Sequence, residues 1–202
     1  MKKMNKLQDF MISRVRVKIL ELFFTNPDEM YYVREITRKA KEEINAVRRE
    51  LDRLLGAGIL KSEQRGNRLY YLLNKRYFFY QELQQMISKN TGIGRKIRRY
   101  RRKLGSIKYV MFAGRFVRKK PVAQGQVDML IIGDVVLAEL SNLIKQEESE
   151  LGREINYAVF SEEEFEFRKQ RRDPFIMDVL YESRVMVIGN EDDFAERKPP
   201  TV

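Results

Sequence analysis

The chain has 202 residues, 43% of them hydrophobic and 34% charged, which is enough apolar material for one large core or two small ones and too much for general disorder. It contains neither cysteine nor histidine, so disulfides, thiolate or imidazole catalysis and Cys/His zinc sites are excluded, leaving carboxylates, lysine, tyrosine or a bound metal ion for any chemistry. The net charge of +11 is uneven: residues 1–104 hold 26 Lys and Arg against 11 Asp and Glu, a net +15, and residues 105–202 hold 14 against 18, a net −4.

That split predicts one domain made for a polyanion and one that is not. The opening MKKMNKLQDF has no apolar core or cleavage site behind its lysines. The longest apolar stretch, residues 127–140, is interrupted by Asp128, Asp134 and Glu139 and is too short to span a bilayer. A cytoplasmic protein without a membrane contact is expected.

In chain order, Phe10, Met11, Val15, Val17, Ile19, Leu20, Phe23 and Phe24 predict a helix over residues 7–24, stopped at Asn26-Pro27. Val33, Ile36 and Ala40 predict a short second helix. Ile44, Val47, Leu51, Leu54 and Leu55 recur at steps of three and four and predict a third, over residues 42–57, with Gly58 as its left-handed end. Residues 59–63 and 69–73 read as two strands around the turn Arg65-Gly66-Asn67-Arg68. An aromatic helix over residues 76–89 follows, and then a basic helix, RKIRRYRRK, at residues 95–103. Gly105-Ser106 marks a domain boundary.

Beyond it the pattern alternates. Residues 107–113, 127–132, 155–160 and 184–188 read as strands, and residues 135–151, 161–171 and 174–181 as helices, the second opened by Ser161 with Glu164 three residues on. The tail, residues 191–202, reads as loose.

The order helix, two helices and a basic-tipped hairpin carries a first resemblance. VREI at residues 33–36 and INAVRRELDRLLGAGILKSEQRGNRLYYLLN at 44–74 resemble the helix-turn-helix and wing of ArsR/MarR-type regulators, over about residues 10–88. The face of the third helix opposite its apolar stripe carries Asn45, Ala46, Arg48, Arg49, Asp52 and Arg53. Arg there can pair with guanine and Asn with adenine in a major groove, and Arg65 and Arg68 at the wing tip fit phosphate or an adjacent minor groove. Glu42 and Glu43 stand at the helix N-terminus, where a cap or the macrodipole accounts for them.

A second resemblance lies at residues 105–190. The minimal nucleotidyltransferase domain, a relative of DNA polymerase beta and the kanamycin-type transferases, reads roughly GSxxRGxxxxxSDxDL, and GRFVRKKPVAQGQVDM at residues 114–129 is similar in spacing. Carried over, the turn glycine is Gly114, but Arg115 stands for the phosphate-holding serine and Gln126 for the first metal carboxylate. Asp128 keeps the second, Asn156 stands for the third with Glu154 nearby, and Arg118 matches a basic position while Lys119 replaces a glycine. Two-metal phosphoryl transfer needs several carboxylates, so these positions read as vestigial, with no metal, no cofactor and no catalysis expected. The basic turn Arg115, Arg118, Lys119 and Lys120 remains a possible phosphate site.

The expected fold is α+β: a winged helix-turn-helix over residues 1–90, a basic linker helix over 91–105, and a nucleotidyltransferase-like α/β domain with a mixed sheet over 106–190. The expected function is a DNA-binding transcriptional regulator acting as a homodimer on double-stranded DNA, with a nucleotide or protein partner open at the second domain. The alternatives are an active, antitoxin-like nucleotidyltransferase and an RNA-binding protein using residues 95–103.

Overall fold

The computed structural model describes residues 11, 13–120 and 125–196, and the chain is an α+β protein whose larger sheet is mixed. It divides into two compact units, Met1–Thr91 and Gly92–Val202. Among the described residues no helix is long and apolar enough to cross a membrane.

The first unit runs α1 (Arg14–Thr25), β1 (Met30–Tyr32), α2 (Val33–Ala40), α3 (Ile44–Gly56), β2 (Leu60–Arg65), β3 (Arg68–Leu73) and α4 (Tyr80–Asn90). Ser13 caps α1 by accepting a hydrogen bond from the Arg16 amide. The helix ends at Asn26, one residue before Pro27, whose ring disfavours a helical predecessor. Residues 7–10 of the expected helix lie outside the described residues. Val17, Leu20 and Phe23 of α1, Ile36 of α2, and Val47, Leu51 and Leu54 of α3 form one core with Leu60, Tyr71 and Leu73 of the sheet.

That sheet is antiparallel in the order β1-β3-β2. The hairpin turns through Gly66 and Asn67, and Gly66 takes a positive φ of 58°, which a side chain would strain. Strand β1 has no counterpart among the expected elements: three residues, Met-Tyr-Tyr, are too few for an alternation to show. The aromatic helix contributes Ile87 to this core, with Tyr80, Leu83 and Met86 packed against it, and Tyr80 lies 5.5 Å from Phe24.

The second unit begins with α5 (Gly92–Tyr100), which corrects two expectations. The basic helix starts three residues earlier than residues 95–103, and it packs within this unit where a linker was expected. Ile93, Ile97 and Leu104 are buried in its core. With the division after Thr91, residues 1–91 hold 19 Lys and Arg against 11 Asp and Glu, a net +8, and residues 92–202 hold 21 against 18, a net +3. Both units are therefore basic, and the contrast expected from the sequence is weaker.

The elements that follow are β4 (Gly105–Ala113), α6 (Gly114–Val117), β5 (Met129–Val135), α7 (Leu137–Leu151), β6 (Tyr157–Phe160), α8 (Glu162–Gln170), α9 (Pro174–Tyr181), β7 (Arg184–Ile188) and α10 (Glu191–Ala195). The sheet order is β6-β5-β4-β7; β4 is antiparallel to both neighbours and β5 is parallel to β6. Helices cover both faces, as strands buried on both sides require. Val110, Phe112 and Ile131 share a core with α5 and α7, while Tyr109, Met111, Leu130 and Ile132 share another with α8, α9 and α10. Ser161 caps α8 through the Glu164 amide.

The expected loose tail is also corrected. Residues 191–195 form α10, Phe194 is fully buried, and its ring stacks on Phe165 at 5.0 Å. Residues 197–202 lie outside the described residues.

Candidate functional site

Helix α3 is fixed before it offers anything to a partner. The Glu43 carboxylate accepts from the Asn45 and Ala46 amides, both at 2.8 Å, and closes the helix N-terminus. Those two bonds hold the Glu43 carboxyl below the usual carboxylate range. Glu42, in the turn before it, pairs with Lys18 at 2.7 Å and Arg14 at 3.0 Å of α1, and hydrogen bonds from those cations lower it as well.

Glu50 is the polar residue that sequence reasoning missed on α3. It faces inward at 5% exposure and pairs with Arg16 of α1 and Arg53 of its own helix, both at 2.8 Å. Burial pushes its carboxyl up, but hydrogen bonds from Arg16, Ser13 and Arg53 outweigh that, and the net shift is downward. The only sequence signal was its place in the apolar stripe, between Val47 and Leu54. Ile44, expected inside, is half-buried.

The outer face of α3 presents Asn45, Arg48, Arg49, Asp52 and Arg53 to solvent, with Ala46 half-buried. Among the described residues Arg48 and Arg49 make no hydrogen bond or ion pair, whereas Arg53 donates to Glu50. Strand β2 packs beside α3. At the hairpin tip Arg65 pairs with Glu63 at 2.9 Å, and the Arg68 guanidinium lies over the Tyr32 ring at 4.8 Å. The seven expected contact residues are thus in four states: Asn45, Arg48 and Arg49 open, Ala46 half-buried, Arg53 and Arg65 ion-paired, Arg68 stacked.

In the second unit the turn from β4 into α6 brings together most of the other expected positions. The Gly114 amide donates to the Ser183 carbonyl at 2.6 Å, and a Cβ at Gly114 would overlap the Ser183 hydroxyl, so only glycine fits. Arg115 turns inward, at 11% exposure. One guanidinium nitrogen donates to the Val127 carbonyl at 2.7 Å and another meets Glu182 at 3.3 Å. Gln126 donates to the other Glu182 oxygen at 2.8 Å. Arg118 donates to Ser183 Oγ at 3.1 Å. Lys119 takes a left-handed φ of 56°, and Lys120 is exposed. The basic turn is therefore largely spent on its own neighbours, which the sequence did not reveal because Glu182 and Ser183 lie almost 70 positions on.

Asp128 is fully buried. Its Oδ2 accepts from the Asn156 amide at 3.2 Å and meets Arg153 at 3.4 Å, so Asn156 acts through its backbone. Arg153 also lies over the Phe116 ring at 5.1 Å. Glu154 is exposed, and its carbonyl accepts from Arg153. Among the described residues no group of three or more acidic side chains is placed to hold a metal ion. The cleft beside Arg115, Gln126, Val127 and Ser183 encloses about 30 Å3, room for a water or two. A nucleotide needs roughly ten times that volume.

No family model matches the chain, and neither a curated protein nor a solved structure does.

Proposed function

We propose that the protein is a DNA-binding transcriptional regulator whose first unit is a winged helix-turn-helix. Helix α3 enters the major groove of duplex DNA, and the β2–β3 hairpin lies on the adjoining backbone. The observation that carries this reading is the contrast between cations on and around α3. Arg14, Arg16, Lys18 and Arg53 are neutralised by Glu42 or Glu50, while Arg48 and Arg49 stand on the outer face and, among the described residues, make no ion pair or hydrogen bond. Such arginines suit bidentate contact with guanine, and Asn45 suits adenine. The Arg65–Glu63 pair is exposed and cheap to exchange for a phosphate. A palindromic site asks for two copies. The exposed pair Phe78 and Phe79, just before α4, is the apolar surface we assign to a second copy, because Tyr80, Leu83, Met86 and Ile87 of the aromatic segment are spent on the first core.

The second unit, in this reading, is a nucleotidyltransferase-like domain that transfers nothing. Burial of Asp128 against Arg153, capture of Gln126 by Glu182, and a cleft of water size support it. The regulator reading is tested by selecting bound duplexes from a random pool with the full chain. Enrichment of a short motif, with affinity that falls steeply as salt rises, is expected. Equal recovery of every duplex contradicts the reading.

A further inference from the structure

One groove of the second unit joins an aromatic ring to unbalanced positive charge. Its walls are the end of α5 and the turn after it, with Tyr100 and Lys103, and the outer side of α7, with Glu139, Asn142, Lys145 and Gln146. Its volume is about 480 Å3, within the range of sites for small organic groups. Steps of three and four set Glu139, Asn142 and Gln146 on one stripe of α7, next to its buried residues Leu140, Leu143 and Ile144.

The platform is held firmly. Ile93 and Ile97 share a core with Leu140, Leu143 and Ile144, and Lys96 bridges to Glu147 at 2.9 Å and Glu150 at 2.8 Å. Those pairings outweigh the desolvation that would lower the Lys96 pKa, and raise it. Lys96 is thereby neutralised, but Arg99, Arg102 and Lys103 are exposed, and among the described residues none of the three is paired with a carboxylate. Arg99 and Lys103 instead flank the half-buried Tyr100 ring at 5.5 and 5.9 Å from its centroid.

We propose that this groove binds single-stranded nucleic acid. One unstacked base lies on Tyr100 in place of the Lys103 ammonium, with its edge toward the amides of Asn142 and Gln146, and the flanking phosphates pair with Arg99, Lys103 and Lys145. A duplex keeps its bases stacked and offers no free face to the ring. A mononucleotide brings one base and a single phosphate cluster, and leaves the further cations of the groove unmatched, so the charge favours a strand. This surface belongs to the second unit and does not depend on the duplex reading.

The test is fluorescence anisotropy of the full chain with labelled oligo-U and oligo-dT of ~12 nucleotides, a length within single-strand site sizes. Unlabelled duplex and UMP serve as competitors. Tyr100→Ala is expected to weaken single-strand binding about tenfold, Tyr100→Phe to retain it, and Lys145→Gln to flatten its salt dependence. Because Tyr100 also packs on the core, the solvent-exposed Lys145→Gln variant keeps the test valid if Tyr100→Ala misfolds. Duplex affinity is expected to stay unchanged in the Tyr100 variants, so loss of duplex binding in Arg49→Ala alone speaks only to α3. The proposal is overturned if a folded Tyr100→Ala binds single strands as well as the unmodified chain, if Lys145→Gln leaves the salt dependence unchanged, or if UMP competes as well as the oligonucleotide.

Discussion

Glu50 and Arg49 are neighbours in sequence with opposite tasks. Glu50 points into the first core and anchors Arg16 and Arg53, while Arg49 points out and makes no hydrogen bond or ion pair among the described residues. The pH dependence of the first unit follows from the three glutamates at α3. Glu42, Glu43 and Glu50 all have folded-state pKa values below their ordinary ones. Their stabilisation is therefore complete above the unfolded pKa of about 4.3 and is lost as pH falls through the depressed folded values. Denaturant unfolding is expected to show the first unit weakening below about pH 4, with a shallower fall in Glu50→Gln. At neutral pH Glu50→Gln is expected to cost about 1–2 kcal/mol, between a surface pair and a buried one, because Arg16 and Arg53 keep partial contact with water. A pH profile of Glu50→Gln identical to that of the unmodified chain would show that the Glu50 carboxylate does not anchor α3.

At the scale of elements, long periodic segments were legible and short or distantly held ones were not. Helix α3, with Val47, Leu51 and Leu54 at helical steps and Gly58 at a left-handed φ of 74°, was readable from its residues. So was α9, opened by Pro174 after the Asp173 cap. Strand β1 is only three residues long, and α6 only four. Helix α10 was hidden in a segment that reads as an acidic, proline-terminated tail, because its order comes from one residue. Phe194 sits between Phe165 and Tyr109, and the buried Lys169 donates to its carbonyl at 3.3 Å. Phe194→Ala is accordingly expected to destabilise the second unit by about 3–5 kcal/mol. Thermal unfolding unchanged in that variant would mean that α10 is a passive tail. The candidate site was legible as a set of residue types, but the pairing that decides which cations are open was not, since Arg115 and Glu182 are brought together only by the fold.

For the molecule as a whole, the division after Thr91 moves the basic helix into the second unit, and with it much of the positive charge once credited to the first. The duplex-binding reading consequently rests on where unpaired arginines stand and not on bulk charge. The same arithmetic of pairing bears on the second unit, where Asp128, Arg115 and Gln126 are all engaged inside the protein. Incubation of the full chain with labelled ATP, GTP, CTP or UTP and Mg²⁺ or Mn²⁺, alone and with host proteins, is expected to transfer no label. Label that is lost in Asp128→Ala would establish an active transferase instead. The central claim is that α3 reads base sequence while the hairpin only grips the backbone. The most direct measurement compares Arg49→Ala and Arg65→Ala for affinity to the selected duplex and to a random one across a salt series. The account predicts that Arg49→Ala loses about 1–3 kcal/mol of discrimination at one base position, and that Arg65→Ala weakens both duplexes alike with a smaller salt slope. Equal loss on both duplexes in Arg49→Ala would contradict it.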